Sequence, residues 1–420
     1  MVNARKCLTV ICASALLAVL VGSTTSNAFA NTVFVSNTAP LSPSGRSCEA
    51  PQYATIQQAV DAVSPGTSIK VCPGTYAEQL VLEKSVKVIG ADPASAPTVT
   101  APEVVAHPTG PCATGAEADV EVMVCGASPV RLSNLHIDAR FSEPTCEVKL
   151  YGVLVGGGAT LTATHDDVLG ARGASGCTSG IGVAVGTTGA VEQTGHATLR
   201  GVSVSGYSGF SGRGIAATGA GSSVRVISSV VRGGVEGASA PAGIEISQGA
   251  TGKVKGSTIA QNRVVGRGLA TGIVVDRAGA PVVIANDTLE EDGIGVHLSS
   301  GATTAPSTPE LIVRHSRILN SARTALLLEQ GSASIAHDLI EGGEYGIQIQ
   351  QFGSQPFAVD ATAAYDTISG MQGAAIRVIS DRLASDPPGD FLIKYSSISN
   401  NAAEVINDSS TFTVTRSHDT

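Results

Sequence analysis

The chain has no tryptophan, and Phe, Trp and Tyr together make only 4% of its 420 residues. Sugar rings are usually met by flat apolar side chains, so this scarcity counts against a long aromatic platform for glycans. Charged residues make 15% and methionines number three. Acids outnumber bases, giving a formal net charge of −9, and no basic run interrupts the sequence. A nucleic-acid footprint and a hold on an acidic membrane are both excluded on that ground. No apolar run is long enough to span a bilayer; the longest, Cys7–Val21, is too short. What is abundant is glycine, 49 residues, with Val, Ile, Thr and Ser. That balance favours a β-rich solenoid over disorder or a helical bundle.

The first thirty residues read as an export signal. Arg5 and Lys6 precede the apolar run, and "AFA" (28–30) is a small-x-small cleavage site near Ala30. The mature chain is therefore expected to be secreted, without a transmembrane segment. Cys7 and Cys12 leave with the signal. Cys48, Cys72, Cys112, Cys125, Cys146 and Cys177 remain, an even count that suggests disulfides in an exported chain. None has zinc spacing, so no metal site is expected. Several connectivities are open, and the sequential one is preferred: Cys48–Cys72, Cys112–Cys125 and Cys146–Cys177.

A short motif recurs: "AGIEIS" (242–247), "TGIVVD" (271–276), "YGIQIQ" (345–350). Its first apolar residue falls at Val153, Val183, Ile215, Ile244, Ile273, Val296, Leu326, Ile347, Ile376 and Val405, at gaps of 21 to 32 residues. A second motif interleaves, as in "VKGSTI" (254–259), "IANDTL" (284–289) and "IKYSSI" (393–398). A period in this range marks a stacked array. Period-two alternation makes each piece a short strand. Such turns cannot bury anything alone; stacked in register they share one interior, with strands pairing in parallel. Ile244 and Ile246 should then point inward. Repeat counting gives about eleven or twelve turns.

Two columns follow from that stacking. Asp167, Ser229, Ser257, Asp287, Ser316, Asp338, Asp366 and Ser396 share the fourth position of the second motif, where a repeating bend needs a short side chain to bond its backbone. His315, His337, Tyr365 and Tyr395 share the third position and should stack along the bend; two adjacent histidines without a third ligand do not make a metal site. On the opening strand the outward positions are Glu245, Val274, His297, Leu327, Gln348 and Arg377, then Ser247, Asp276, Ser299, Glu329 and Gln350. Asp276 and Glu329 lie two rungs apart, roughly 10 Å by strand spacing, with His297 on the rung between. If a glycan site exists it is this face: Asp276 and Glu329 as acid and base with His297, and Glu245, Gln348, Gln350 and Arg377 as binding residues. A solenoid's outer face must also be polar somewhere, and scattered acids and glutamines satisfy that need.

Residues 53–90, "YATIQQAVDAVSPGTSIKVCPGTYAEQLVLEKSVKVIG", resemble the N-terminal cap and first turn of the right-handed parallel β-helix proteins, the pectin-lyase-like superfamily. The resemblance implies an all-β, single-stranded right-handed parallel β-helix over 53–420, with a capping helix at 53–64 and a leading segment at 31–52. Thr55 and Gln58 fit a capping box, and Ile56, Ala59, Val60 and Val63 give one apolar face. Pectin methylesterases share "QAV" (58–60) and "GTYAE" (74–78), and "NDTL" (286–289) looks like their Gln-Asp-Thr-Leu motif, which would make Asp287 an acid. Their nucleophile motif, Asp-Phe-Ile-Phe-Gly, is absent. "HDDV" (165–168) has the paired acids of polygalacturonases without the partners, and no segment looks like that of pectate lyases. The fold hosts many functions. The expectation is a non-catalytic binding protein for an extracellular polysaccharide or cell-surface component, without cofactor. The alternative is a polysaccharide hydrolase, lyase or esterase of that superfamily. The last rung, "TFTVTRSHDT" (411–420), has no cap in sequence, so a returning loop, a partner or self-association is expected to cover it.

Overall fold

The computed structural model describes residues 32–43, 46–107, 113, 118–126, 128–141, 148–172, 180–187, 192–207, 212–233, 235–237, 241–265, 270–299, 310–351, 359–380, 389–409 and 412–418. They form a right-handed parallel β-helix. Each full turn lays down three strands. The turn starting at the opening motif runs through Ala242–Ser247, Thr251–Lys255 and Thr258–Ala260, and the next turn begins at Thr271–Asp276. The faces built from these three kinds of strand are called A, B and C.

Face B is one parallel sheet of 14 strands. It therefore holds more rungs than the repeat count suggests. The surplus lies at the N-terminus, where the motif is degenerate. Thr32–Val35 pairs in parallel with Ser68–Val71, so the sheet begins inside the segment expected to precede it. Faces A and C are joined into a single sheet of 22 strands. They merge because Arg317–Leu328 and Leu339–Gln351 run unbroken round the corner from C to A.

On face A the pairing follows the motif's alignment. Val153 is beside Val183, then Ile215, Ile244, Ile273, Val296, Leu326, Ile347, Ile376 and Val405 in succession. Ile244 and Ile246 are both fully buried. Each such side chain contributes about 1.5–3 kcal/mol when removed from water. The stacked Val, Ile and Leu form one continuous core from Val33 to Phe412.

On most rungs glycine precedes this apolar residue, and at Gly243 the neighbouring rung leaves little room for a side chain. A Cβ at Gly243 would stand 2.6 Å from the carbonyl oxygen of Gly272 on the next rung and 2.7 Å from a methyl of Ile259.

At the N-terminus Ile56–Ala62 forms a short helix, with Ile56, Ala59 and Val60 buried. Thr55 Oγ1 accepts from the Gln58 amide at 3.2 Å. The other free amides at this helix start are met from outside: Glu78 accepts from Ile56 N at 2.7 Å and Gln57 N at 2.8 Å. Cys48 and Cys72 form a disulfide with Cα atoms 5.6 Å apart. Cys125 is also disulfide-bonded. Cys112, Cys146 and Cys177 lie outside the described residues, as do the expected signal segment and the rest of the expected pairing scheme.

The bend from face B to face C carries both predicted columns. Its first residue has a left-handed backbone in rung after rung, including Asn286 (φ 59°), His315 (53°), His337 (61°), Tyr365 (62°) and Tyr395 (52°). The rings of His315, His337, Tyr365, Tyr395 and His418 stack in sequence, with centroids 4.9 to 5.1 Å apart. His418 is a further member of the stack. Left-handed backbone costs a non-glycine residue about 1–2 kcal/mol, and an aromatic contact returns about 0.5–1.5 kcal/mol. We therefore expect Tyr365→Gly to change stability by less than about 1 kcal/mol, strain relief offsetting two lost contacts. Tyr365→Val, which loses the contacts and keeps the strain, should cost at least about 2 kcal/mol in urea unfolding.

The second residue of the bend is the Ser/Asp column. Ser229, Ser257, Ser316 and Ser396 are buried, and each hydroxyl accepts an amide of the preceding rung: Val202, Ser229, Asp287 and Asp366, at 3.1 to 3.3 Å. Each also donates to the carbonyl two residues before it, at 3.0 to 3.3 Å. Asp287 and Asp338 reach the preceding rung in the same way, each accepting from Ser257 N or Ser316 N at 2.6 Å, and take a second amide, Ala285 or Ala336, at 2.8 or 3.1 Å. One member differs from the sequence expectation. Asp166 is the buried residue that accepts from Leu135 N at 2.9 Å. Asp167 points outward, 3.9 Å from His136. Asp287 is thus occupied by backbone amides and is 1% exposed, which leaves it no access to act as an esterase acid.

Candidate functional site

Face A places the expected residues in two outward rows. Glu245, Val274, His297, Leu327, Gln348 and Arg377 are successive partners across the ladder. Ser247, Asp276 and Ser299 make the second row, and Glu329 follows one rung on, its amide donating to Leu298 O at 3.0 Å. Three members of these rows are not solvent-facing in fact; Gln348 is one, 9% exposed. Leu327 is 4% exposed although it points away from the core, and Ser247 is fully buried. The Ser247 hydroxyl donates to Glu245 Oε1 at 2.9 Å.

The polar side chains are held by neighbours. Glu245 pairs with Arg213 of the preceding rung. Asp276 is gripped by the next residue in sequence, Arg277, whose Nη2 donates to Oδ2 at 2.9 Å and whose Nε donates to the same oxygen at 3.1 Å. Gln348 accepts from Thr324 Oγ1 at 3.2 Å and donates to Gln350 Oε1 at 2.8 Å. The Arg377 guanidinium lies over the Tyr345 ring, 4.5 Å from its centroid.

Within these rows His297 and Glu329 are brought together: Nε2 and Oε2 are 3.0 Å apart. The contact is an ion-pair distance without hydrogen-bond alignment, and Nε2 is otherwise buried and unpartnered. The two carboxylates singled out from sequence, Asp276 and Glu329, are engaged by different partners, Arg277 and His297. Arg277, Thr324 and Tyr345 belong to the same surface. Arg277 could have been found by reading one residue beyond the end of the six-residue motif, and Tyr345 opens the copy "YGIQIQ" (345–350). Thr324 opens its rung's copy of the motif, at the position Tyr345 holds one rung on.

Among the described residues no group of three or more His, Cys, Asp or Glu is placed to hold a metal ion. No helix among them is long and apolar enough to cross a membrane.

With this geometry in hand, the comparisons fall into one pattern. Residues 185–363 match the family model described as right handed beta helix region. Two solved structures share the architecture. The periplasmic alginate epimerase AlgG is 11% identical, with 87% of this chain and 83% of that one covered and a TM-score of 0.56. The Agl-KA catalytic domain is 12% identical, with 86% and 64% covered and a TM-score of 0.51. No curated protein sequence matches the chain. The protein has the right-handed parallel β-helix fold. At these identities the likeness is one of fold.

Proposed function

We propose that this protein is exported and that face A binds a polysaccharide laid against its outward rows. The observation that carries the reading is the register of those rows. Asp276, His297, Glu329, Gln348, Gln350 and Arg377 lie on adjoining strands of one open face, where donors and acceptors recur at the rung spacing of about 4.8 Å. Carboxylates, amides and a guanidinium stacked on an aromatic ring suit hydroxyl and carboxylate groups of a glycan. A similarity of fold to an alginate epimerase supports a polysaccharide ligand without naming it. In a panel of polyuronates and neutral glycans, Gln348→Ala combined with Arg377→Ala should weaken binding at least about tenfold. Unchanged affinity in that variant would remove the site.

The second reading is catalytic, and the His297–Glu329 pair favours it. A carboxylate beside an imidazole can orient it, the arrangement of a general base and its orienting partner. His297 would remove the carbon-bound proton next to a substrate carboxylate; expulsion of the glycosidic oxygen, protonated by water, then gives a lyase, and return of a proton from water to the opposite face gives an epimerase. Arg377, three rungs on, would hold the carboxylate of a sugar further along the chain. A hydrolase with Asp276 and Glu329 as its two carboxylates is the remaining form. The same panel, scored for reducing ends, unsaturated products and inverted sugars, separates these. Binding without turnover supports the first reading. Turnover that drops about 100-fold in Glu329→Gln supports the second. Full turnover in an Asp276→Asn, Glu329→Gln double variant eliminates the hydrolase.

A further inference from the structure

Face B carries a charge pattern that the face A site does not use. Three successive strands, Gly195–Arg200, Ser223–Ile227 and Thr251–Lys255, turn Arg200, Arg225, Lys253 and Lys255 outward. Their other outward residues are His196, Thr198, Ser223, Ile227 and Thr251, so no acid stands among them. The four cations and Ser228 line one shallow open depression. Register makes Arg225 the direct ladder partner of Lys253, and places Ile227 between Arg200 and Lys255.

Like charges directly opposite each other in a ladder are destabilising. Elsewhere some outward arginines are relieved, as Arg213 by Glu245 and Arg277 by Asp276. Arg200, Arg225, Lys253 and Lys255 have no ion pair among the described residues, in a chain whose net charge is −9. Acids are plentiful and none has been placed here. The charge is left for something outside the fold.

We propose that this strip of face B is a second binding site, for a linear carboxylate-bearing polysaccharide. A half-open depression on a sheet face leaves room for a chain to run through it, where a closed pocket would surround a compact anion. In one column Arg225 and Lys253 are one rung apart, about 4.8 Å, and in the other Arg200 and Lys255 are two rungs apart with Ile227 between, so carboxylates of successive sugars in a chain laid along the helix axis can meet one column or the other. The strip has no Phe, Tyr or Trp on which bases could stack, which counts against single-stranded nucleic acid. Charge-assisted hydrogen bonds from Arg200 and Arg225 and point attraction from Lys253 and Lys255 provide the recognition. The site is on a different face from the proposed glycan row and does not depend on it.

The test uses the full chain with polygalacturonate as probe, dextran as neutral control, and single-stranded DNA and anionic phospholipid vesicles as other polyanions. Polygalacturonate should bind and dextran should not. Affinity should fall at least about tenfold when NaCl is raised from about 0.05 M to about 0.3 M. In a Gln348→Ala, Arg377→Ala background, which silences the face A row, adding Arg225→Ser with Lys253→Ser should weaken binding at low salt at least about tenfold, whereas adding Lys394→Ser, remote on the same face, should not. The unliganded quadruple variant should melt no lower than that background, because a like-charge pair is removed; polygalacturonate should raise the melting temperature of the background and not of the quadruple variant. Background affinity in the quadruple variant overturns the proposal. So does a wild type that ignores polygalacturonate, or one that takes DNA or vesicles in preference to it.

Discussion

Replacing Gly214 by valine should cost more than about 3 kcal/mol and sharply reduce soluble yield. A Cβ at that position would stand 2.5 Å from a Val231 methyl, 2.6 Å from the Gly243 carbonyl oxygen and 2.8 Å from the Tyr207 ring. The carbonyl belongs to the next rung's backbone and the ring to a fully packed core residue, so neither can swing aside as a surface side chain would. Overpacking of a core costs about 1–3 kcal/mol when neighbours can adjust; here the neighbour is the ladder itself. Gly214→Ala should fall in that milder range, because Ala325 and Ala375 occupy the same column on later rungs and are fully buried there. Urea unfolding of the two variants checks the order. Equal stability of Gly214→Val and wild type would mean that the rungs are not stacked at this spacing.

Alkaline destabilisation is the second large effect. Burial pushes the carboxyls of Asp166, Asp287 and Asp366 up to about 7 and that of Asp338 to about 8, outweighing the amides that bond to them. Asp292, in a buried network with Asn262 and Tyr207, is raised to about 8, and Glu121, buried without a partner, to about 9. In each case the folded value lies above the ordinary one of about 4. The folded state therefore holds protons that the unfolded chain has released. The associated stability is fully present below about pH 4 and is lost as pH rises through about 7 to 9. A shift of one unit corresponds to about 1.4 kcal/mol, so even a fraction of these six shifts amounts to several kcal/mol. Thermal unfolding should show a lower melting temperature at pH 9 than at pH 5. Asp287→Ser with Asp338→Ser should flatten that profile while keeping neutral-pH stability. Serine already fills the same column at Ser257 and Ser316, bonding the same rung-to-rung amides. A profile unchanged by these substitutions would place the pH dependence elsewhere.

The architecture was legible because its signal is repetitive. Ten copies of one apolar position aligned without reference to structure and proved to be consecutive ladder partners. The aromatic column was legible for the same reason: His315, His337, Tyr365 and Tyr395 share one offset from an apolar anchor. Where the motif degrades, the reading slipped. Asp166 and Asp167 are adjacent acids, and only burial distinguishes the one that bonds Leu135 from the one that faces His136. Thr32–Val35 carries no glycine and no partner motif, so its strand could not be told from a leading segment. The face A site was legible as a surface and not as a set of partners. Strand alternation shows that Asp276 and Glu329 point outward, but the grip of Arg277 on one and of His297 on the other depends on side-chain reach, which periodicity does not encode.

The rung-by-rung register also bears on how the chain finds its fold. Sandwiches and closed barrels join strands far apart in sequence and fold slowly for that reason. Here Ile215 meets Ile244, a separation of 29 residues, and the other ladders repeat similar offsets. Divided by a length of 420 residues, that gives a relative contact order of about 0.07, the range of helical bundles. Any early cluster of neighbouring coils can template the next, so the loop entropy of closing each contact stays that of one coil however long the shaft grows.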